Sequence, residues 1–274
     1  MTTSTADIQA RAKAMRINII KMLKEAGSGH PGGSLSAADI VATLYFGGIM
    51  NVNPQDPKDP ERDRFILCKG HAAPVLYAAL AELGYIPEEE LLTLRKLHSR
   101  LQGHPDNKKV PGVEVSTGSL GQGLSVAAGL ALGLKLNGGT QNVYALMGDG
   151  EIQEGQVWEA AMFAAHYNLS NLIAIVDNNN LQIDGDVRDV AGLDDIEAKF
   201  AAFGWQTIEV DGHDIDALKV AFAAAQAAQK PACIIAKTIK GKGVSFMENQ
   251  TGWHGKAPNA EQAAQALAEL EGEE

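Results

Sequence analysis

The sequence predicts an α/β fold in which a parallel sheet is covered by helices on both faces. The second half of the chain alternates short apolar segments of strand length with segments of helical periodicity. Most of the strand-like segments are apolar at nearly every position, as strands buried on both faces are. Ligands of such sheets bind beyond the carboxyl ends of the strands, so the residues that follow each strand are the first candidates for a functional site.

The first half of the chain is predicted to be mainly helical. Apolar residues recur at helical spacing over 6–26, and this helix ends at the glycine-rich run 27–33, a predicted turn. The next predicted elements are a helix over 37–46, a strand over 64–67, a helix from Pro74 and a helix over 87–97. Segment 101–123 contains five glycines and two prolines and is predicted to be a loop. Loops of this length inside compact domains are commonly functional.

The second half supplies the strands and helices of the predicted sheet. They are a helix over 124–136, a strand over 143–147, a helix over 156–167, a strand over 172–177, a helix over 196–203, a strand over 205–210, a helix over 215–226 and a strand over 233–237. The composition does not change abruptly along the chain. We therefore expect a single domain over 1–274, with a polar helical tail at 258–274.

Composition excludes several classes of protein. Of 274 residues, 45% are hydrophobic and 21% charged, which is typical of a globular chain with a core. The net charge of −11 argues against general nucleic-acid binding, since phosphates need clustered cations. Two cysteines, Cys68 and Cys233, are too few for a disulfide framework. The sequence has no signal-peptide pattern and no run of 18 apolar residues, so we expect a cytoplasmic protein without a membrane partner.

Polar residues follow two successive strands of the predicted sheet. Gly148-Asp149-Gly150 comes after one strand and Asp177-Asn178-Asn179-Asn180 after the next. Either pattern alone is typical of a turn. Together, directly after buried strands, they place carboxylate and amide oxygens at one edge of the sheet. Such hard ligands suit Mg²⁺ or Ca²⁺, and Mg²⁺ commonly bridges protein oxygens to phosphates.

Gly-Asp-Gly followed some thirty residues later by Asn-Asn resembles the thiamine-diphosphate-binding pattern, and the chain as a whole resembles the transketolase family. The motifs that carry the resemblance, in order, are Ser28-Gly29-His30-Pro31-Gly32, Lys69-Gly70-His71-Ala72, Gly103-His104-Pro105, Thr117-Gly118-Ser119-Leu120-Gly121-Gln122-Gly123, Gly148 to Gly155, Ile183-Asp184-Gly185 and Trp253-His254-Gly255-Lys256. The resemblance implies a thiamine-diphosphate-binding fold of the diphosphate-binding type over nearly the whole chain.

The resemblance also implies ligands for the cofactor and its metal ion. Asp149, the side chain of Asn179 and the backbone carbonyl of Leu181 would coordinate Mg²⁺, or Ca²⁺ in its place. The remaining cofactor contacts implied are His71, Gly150 and His254 near the diphosphate, the backbone of Gly118 and Leu120 at the aminopyrimidine, and Ile183 on the thiazolium.

Catalytic roles are implied for five residues. Glu154 would belong to a buried carboxylate network that crosses to the partner and to the cofactor. His30, His71, His104 and His254 would line the substrate channel, where a histidine can donate, accept and titrate near neutrality. The carbanion chemistry itself would belong to the cofactor.

Other titratable residues are given ordinary interpretations. His98 and His166 are expected on helix surfaces or in packing, and His213 at a turn. Glu151 and the run 88–90 are interpreted as residues without a functional role.

Parts of the family's active site have no match in this sequence. In the family, the glutamate that protonates the aminopyrimidine and most residues that hold the substrate phosphate lie in a second domain. The resemblance therefore implies the N-terminal subunit of a split transketolase. With a separate C-terminal subunit, in an α₂β₂ assembly, it would transfer a two-carbon ketol unit from a ketose phosphate to an aldose phosphate.

Alternatives remain open at this point. One is a subunit of an enzyme like 1-deoxyxylulose-phosphate synthase, which shares the fold and the Gly-Asp-Gly pattern. Another is a non-catalytic module that binds thiamine diphosphate, and a third is a truncated chain. The Gly-His-Pro triplets and the segment 253–256 favour transketolase, and four loop histidines argue against a pure scaffold. The sequence does not identify the donor sugar.

Overall fold

Five strands form one parallel sheet in the computed structural model, which describes residues 3–272. They are β1 (Arg64–Leu67), β2 (Val143–Gly148), β3 (Leu172–Asn178), β6 (Gln206–Asp211) and β7 (Ala232–Lys237). Their order across the sheet is β1-β2-β3-β7-β6, and every neighbouring pair is parallel. A separate antiparallel hairpin pairs β4 (Leu181–Gln182) with β5 (Gly185–Asp186). The predicted parallel α/β fold is confirmed.

Ten α-helices lie in the described part of the chain. They are α1 (Thr5–Ala26), α2 (Pro31–Ser36), α3 (Ala38–Phe46), α4 (Ala73–Glu82), α5 (Gly123–Leu136), α6 (Gly155–His166), α7 (Val187–Ala191), α8 (Ile196–Ala202), α9 (Ile215–Gln226) and α10 (Ala260–Glu271). Helix α10 begins with a capping box between Asn259 and Gln262 and packs against α1. Within residues 3–272, no helix has both the length and the apolar character needed to cross a membrane.

Alternate residues of β1, β2, β3 and β7 contribute to two apolar cores, one on each face of the sheet. Phe65 and Leu146 belong to the core that α1, α3, α4 and α9 cover. Ile66 and Ala145 belong to the core that α5, α6 and α8 cover. Because successive strand residues point to opposite faces, a strand buried between two helical layers is apolar throughout.

Strand register places the candidate residues side by side. Gly148, the last residue of β2, pairs with Asp177 of β3, and Asn178 pairs with Lys237 of β7. The loops after these three strands therefore leave the sheet at the same edge. That edge carries the site described below.

The predicted helix over 87–97 is wrong. The structure has a short 3₁₀ turn at Glu88–Thr93, and the chain then reverses. Arg95 and His98 have φ values of +61° and +68°, which interrupt a right-handed helix. The N–H of Arg95 donates to the carbonyl oxygen of Leu101 at 2.8 Å, so the backbone bonds forward into the following loop instead.

The predicted turn over 27–33 is only partly correct. Gly27 does end α1 in the left-handed conformation, with φ of +62°. However, α2 already begins at Pro31, where a proline fits because the first turn of a helix needs no N–H donor. The hydroxyl of Ser34 donates to the carbonyl oxygen of His30 at 2.7 Å and closes this turn. His30 is thereby fixed at the start of a helix.

Candidate functional site at the carboxyl edge of the sheet

A cavity of about 330 Å³ lies at this edge, between the ends of the strands and the loops that follow them. The structure brings together at this cavity all the predicted site residues except Glu154. They are His30, His71, His104, Gly118, Leu120, Asp149, Gly150, Asn179, Leu181, Ile183 and His254.

Asp149 directly follows β2 and is 2% exposed. One carboxylate oxygen accepts the N–H of Gly150 at 2.8 Å, and the other accepts the backbone N–H of Asn180 and the side-chain amide of Asn178. Burial, and to a lesser extent the neighbouring Asp177 carboxylate, raise the pKa of Asp149 to about 6. A cation beside this carboxylate would offset both effects.

The oxygens around Asp149 suit a hard cation. Asn179 is buried close to Asp149, and its side-chain oxygen accepts the N–H of Leu181 at 3.2 Å. Within residues 3–272, no group of three or more His, Cys, Asp and Glu side chains is arranged to hold a metal ion. One carboxylate, one amide and one carbonyl therefore fit a cation only if a bound ligand supplies further oxygens, as phosphates do for Mg²⁺.

Lys240 occupies a central position that the sequence analysis missed. It follows β7 and is 2% exposed. Its ammonium donates to the carbonyl oxygen of Leu181 at 2.7 Å and to Nδ1 of His254 at 2.8 Å. Burial lowers the pKa of Lys240 to about 8. A metal ion on the Leu181 carbonyl would compete with this ammonium for the same oxygen.

Three histidines from distant loops form a cluster at the cavity. The ring centroids of His30 and His71 are 5.2 Å apart, those of His71 and His254 5.2 Å, and those of His30 and His254 5.7 Å. Burial lowers the pKa of His71 to about 2, with Lys69 adding to the effect, and that of His254 to about 3. Burial and the Arg95 guanidinium lower the pKa of His30 to about 4. All three rings are neutral at pH 7, so each can donate and accept a hydrogen bond.

His104 lies at the outer part of the cavity, against the loop that carries Gly118. A Cβ added at Gly118 would lie 2.8 Å from the His104 ring, so the ring and the loop backbone are in close contact. Gly118 has a φ of +147°, which also favours glycine at this position. Burial, and then Arg95, lower the pKa of His104.

Two apolar side chains at the cavity lack cover in the described part of the chain. Ile183 is 68% exposed at the tip of the β4–β5 hairpin, and Leu120 is 39% exposed in the opposite loop. Exposed apolar side chains at the rim of a cavity are available to contact the flat faces of a bound ring system.

The acidic turn after β2 places its two glutamates differently. Glu154, expected in a carboxylate network that crosses to the partner, is exposed at the start of α6 in the single chain and does not line the cavity. Glu151, expected to have no role, is 3% exposed and lines the cavity. Burial raises the pKa of Glu151 to about 7. The turn lies between β2 and α6, which begins at Gly155. One side of it faces the cavity, and the other side faces outward.

A buried ion pair lies beneath the cavity. Lys69 is 2% exposed, forms a salt bridge with the fully buried Asp177 and donates to the carbonyl oxygen of Gly33 at 2.7 Å. Asp177 also accepts hydrogen bonds from the hydroxyls of Ser36 and Thr238. Burial pushes the pKa of Asp177 upward, but Lys69 and these hydrogen bonds outweigh burial and lower it. The pair joins α2 to the ends of β1, β3 and β7.

The sequence contained signals for two of the residues that were missed. Lys69 lies in the Lys69-Gly70-His71 motif, and Lys240 follows β7 as Asp149 follows β2. The rule that ligands bind beyond strand ends therefore points to Lys240 as well as to Asp149. For Glu151, no feature of the sequence separated it from Glu154, and only packing distinguishes them.

The remaining histidines lie outside the cavity. His98 is exposed in a reversed turn and not on a helix, while His166 is exposed at the end of α6. His213 lies at a turn, as expected, and is held by two hydrogen bonds. Its Nδ1 donates to Asp39 at 2.7 Å, and its Nε2 accepts the N–H of Ile239 at 2.8 Å.

Comparisons with known proteins identify the family of the chain. Residues 8–272 match the family model described as transketolase, thiamine diphosphate binding domain. The chain is 43% identical to the 6-deoxy-6-sulfo-D-fructose transketolase subunit of Clostridium sp. (strain MSTE9), covering 100% of this chain and 99% of that protein. It is also 43% identical to one of the subunits of the apulose-4-phosphate transketolase of Actinobacillus succinogenes, covering 97% of each.

Longer transketolases match over only part of their length. The chain is 46% identical to human transketolase over 94% of this chain and 41% of that protein. Its fold superimposes on the crystal structure of transketolase from Campylobacter jejuni with a TM-score of 0.93 and 35% identity, covering 98% of this chain and 43% of the other. The chain thus spans about two-fifths of these longer relatives. It belongs to the transketolase family, and it is the thiamine diphosphate binding domain of that family.

Proposed function

We propose that this chain is the cofactor-binding subunit of a transketolase that works with a separate C-terminal subunit. Together they would transfer a two-carbon ketol unit from a ketose phosphate to an aldose phosphate. The observation that carries the proposal is the convergence of His30, His71 and His254 beside Asp149 and Asn179 in one cavity. Transfer between phosphorylated sugars needs groups that accept and donate protons, which the imidazole rings supply. It also needs oxygen ligands for a cation, which Asp149 and Asn179 supply.

The histidines would handle sugar hydroxyls and their protons. Their low pKa values keep the rings neutral at pH 7, so a ring can accept a hydroxyl proton or donate its own N–H. At His254 the Lys240 ammonium can only donate, so Nδ1 accepts and the ring proton is on Nε2. His104, at the outer part of the cavity, would contact the sugar farther from the cofactor.

The cofactor and its metal would be held by the edge of the sheet. Asp149, the side chain of Asn179 and the carbonyl of Leu181 would hold Mg²⁺, and Lys240 would then release that carbonyl and face the diphosphate. The backbone of Gly118 and Leu120 would contact the aminopyrimidine, and the exposed side chain of Ile183 would pack on the thiazolium ring. When bound, thiamine diphosphate supplies the carbanion chemistry, and the protein supplies position and electrostatics.

The partner would complete the site. The two relatives that this chain matches over nearly their whole length are both named transketolase subunits, which supports a C-terminal partner here. Glu154 lies exposed beside the cavity, where a carboxylate from another subunit would reach it. We propose an α₂β₂ assembly in which Glu154 becomes buried in a carboxylate network between subunits.

The substrate class is proposed to be sugars with an anionic terminal group. One relative is named for a sulfonated fructose and another for a sugar phosphate, so the anion would differ within the family while the ketol end is shared. The histidines of the described cavity would contact the hydroxyls at the ketol end of the sugar. Contacts that select the anionic end would come from the C-terminal subunit.

Reconstitution tests the proposal. We expect the purified chain alone to show no ketol transfer, because it lacks a counterpart of the ring-protonating glutamate. Adding the C-terminal subunit with Mg²⁺ and thiamine diphosphate should produce a larger assembly by light scattering and restore transfer from xylulose 5-phosphate, the probe donor. A panel of donor sugars that also contains a sulfonated ketose would show whether the enzyme uses a phosphate or a sulfonate at the anionic end. Transfer by the chain alone, or none by the assembly with any donor of the panel, would contradict the proposal.

A further inference from the structure

The carboxylate of Glu151 connects two segments that are far apart in sequence. Its Oε1 accepts the N–H of Gly121 at 3.2 Å, and its Oε2 accepts the N–H of Gly148 at 3.1 Å. Gly148 ends β2 directly before Asp149, whereas Gly121 lies in the loop that precedes α5. The Glu151 side chain therefore links the end of β2, next to Asp149, to the loop 117–122.

Loop 117–122 is anchored at both ends. At its start, the hydroxyl of Thr117 donates to the carbonyl oxygen of Leu67, in β1, at 2.7 Å. At its other end, the N–H of Gly121 has no backbone acceptor in residues 3–272 and relies on Glu151. The stretch from Gly118 to Leu120 lies between these two anchors and lines the cavity.

The loop also makes contacts of its own. The side-chain amide of Gln122 donates to the hydroxyl of Ser119 at 3.1 Å, and Gly118 lies against the His104 ring. Gly118 and Gly121 have φ values of +147° and +84°, conformations that favour glycine. A Cβ at Gly121 would lie 2.5 Å from the Cβ of Glu154, so the loop backbone rests directly on the turn that carries Glu151. The turn thus contacts the loop through one packing contact and one side-chain hydrogen bond.

We infer that Glu151 is a positioning residue that fixes the backbone of Gly118–Leu120 relative to the proposed cofactor site. The inference rests on the proposed contact of this backbone with the aminopyrimidine. A carboxylate suits the task because its two oxygens accept from two N–H groups at once. A glutamine offers one oxygen and one amide nitrogen, and that nitrogen cannot accept, so glutamine retains at most one of the two bonds.

Hydrogen exchange of the full chain tests the bridge directly. In Glu151→Ala we expect the amides of 117–123 to exchange about tenfold faster or more, since the N–H of Gly121 loses its acceptor. Glu151→Gln should give an intermediate rate. Glu261→Gln, an exposed glutamate on α10, is the matched control and should exchange like the wild type. Unchanged exchange in both Glu151 variants would overturn the inference, and Glu151→Gln keeps the test valid if the alanine variant does not fold.

Cofactor affinity tests the consequence. In the complex with the C-terminal subunit, titration of thiamine diphosphate at fixed Mg²⁺ should give a Kd about tenfold higher or more for Glu151→Ala than for the wild type, with the glutamine variant between them. Equal Kd values in wild type and both variants would overturn the positioning role even if exchange has changed. A wild-type complex that binds no thiamine diphosphate would instead contradict the proposed function, and the exchange result would still decide whether the bridge exists.

Discussion

The side chains of the cavity are set apart from surface residues by burial. Removing an imidazole or a carboxylate from water disfavours its charged form, so the pKa of His30 falls to about 4 and that of Asp149 rises to about 6. The first change yields neutral rings that can exchange protons with hydroxyls. The second yields a carboxylate whose charge is stabilised when a cation is added. Both changes are consistent with the proposed binding of a metal ion and of hydroxyl groups at this site.

At the scale of single residues, we predict that Asp149→Asn abolishes Mg²⁺-dependent binding of thiamine diphosphate. The variant keeps the shape of the side chain and removes the charged ligand from the proposed metal set. Calorimetry of the assembled enzyme should show loss of cofactor binding, while far-UV circular dichroism of the chain stays unchanged.

Asp189→Asn is the control for this prediction. Asp189 is an exposed aspartate in α7, outside the cavity lining, so its variant should bind the cofactor like the wild type. Unchanged cofactor affinity in Asp149→Asn would remove Asp149 from the metal set.

A second prediction at this scale concerns His104→Ala. The family resemblance implies that His104 contacts the sugar, and this residue is exposed whereas the other three cavity histidines are half-buried. Its loss should therefore affect the sugar more than the cofactor. A lost hydrogen bond to a charged or polarised group costs about 1.5–3 kcal/mol, which corresponds to a fall of about tenfold or more in kcat/KM. Steady-state ketol transfer and a cofactor titration should show this fall with the Kd for thiamine diphosphate unchanged.

His98→Asn provides the comparison for His104. His98 is exposed in a turn with φ of +68°, a conformation that asparagine tolerates. This variant should have wild-type kinetics. If His104→Ala also has wild-type kinetics, His104 does not contact the sugar.

At the scale of elements, one buried ion pair joins α2 to three strands. Lys69 follows β1, and Asp177 belongs to β3. Asp177 also accepts hydrogen bonds from the hydroxyls of Ser36, in α2, and Thr238, after β7. Breaking a buried pair from one side leaves an uncompensated charge in a region of low dielectric constant. His71 lies two residues after Lys69, and Lys240 lies two residues after Thr238, so the placement of both depends on the pair.

We predict that Lys69→Met lowers the free energy of unfolding by about 3–5 kcal/mol, because Asp177 is then left buried and unpaired. The double variant Lys69→Met with Asp177→Asn should be less destabilised than the sum of the two single variants, since neither partner keeps its charge. Urea unfolding of the full chain, followed by circular dichroism, measures both values.

An exposed ion pair provides the matched control. Lys237 and Glu209 form a salt bridge of 2.8 Å on the surface, with side chains 60% and 43% exposed. Lys237→Met should therefore change the free energy of unfolding far less than Lys69→Met does. Additive effects of the Lys69 and Asp177 variants would show that the two side chains do not stabilise each other.

At the scale of the whole molecule, the described fold carries exposed apolar and acidic side chains beside the cavity. The cavity opens between loops from β1, β2, β3 and β7, and apolar side chains such as Ile183 and Leu120 stand exposed at its rim. Glu154 faces outward next to them. This arrangement suits a surface that closes against a partner, and it explains why the reconstitution experiment tests the function more directly than any single substitution.

Sequence alone determined the fold and most of the cavity. The alternation of apolar strands with amphipathic helices predicted the parallel sheet, and strand ends predicted that Asp149 and Asn179 lie together. The family resemblance carried by the motifs around His30, His71 and His254 implied that these residues line one channel, and they form a cluster. The prediction of the sheet succeeds because hydrophobic periodicity is a local property of the chain, and a parallel sheet then brings the carboxyl ends of its strands to one edge.

Only the tertiary structure decided which polar side chains are buried. It placed Glu151 inside and Glu154 outside, although the two are three residues apart in one turn, and it brought Lys240 onto the Leu181 carbonyl and His254. It also replaced the predicted helix over 87–97 with a turn, since the positive φ of Arg95 accompanies a bond to a later loop. The burial and the pKa of a side chain depend on which distant segments pack against it. Such packing leaves no periodic pattern in the sequence, so the sequence does not predict it.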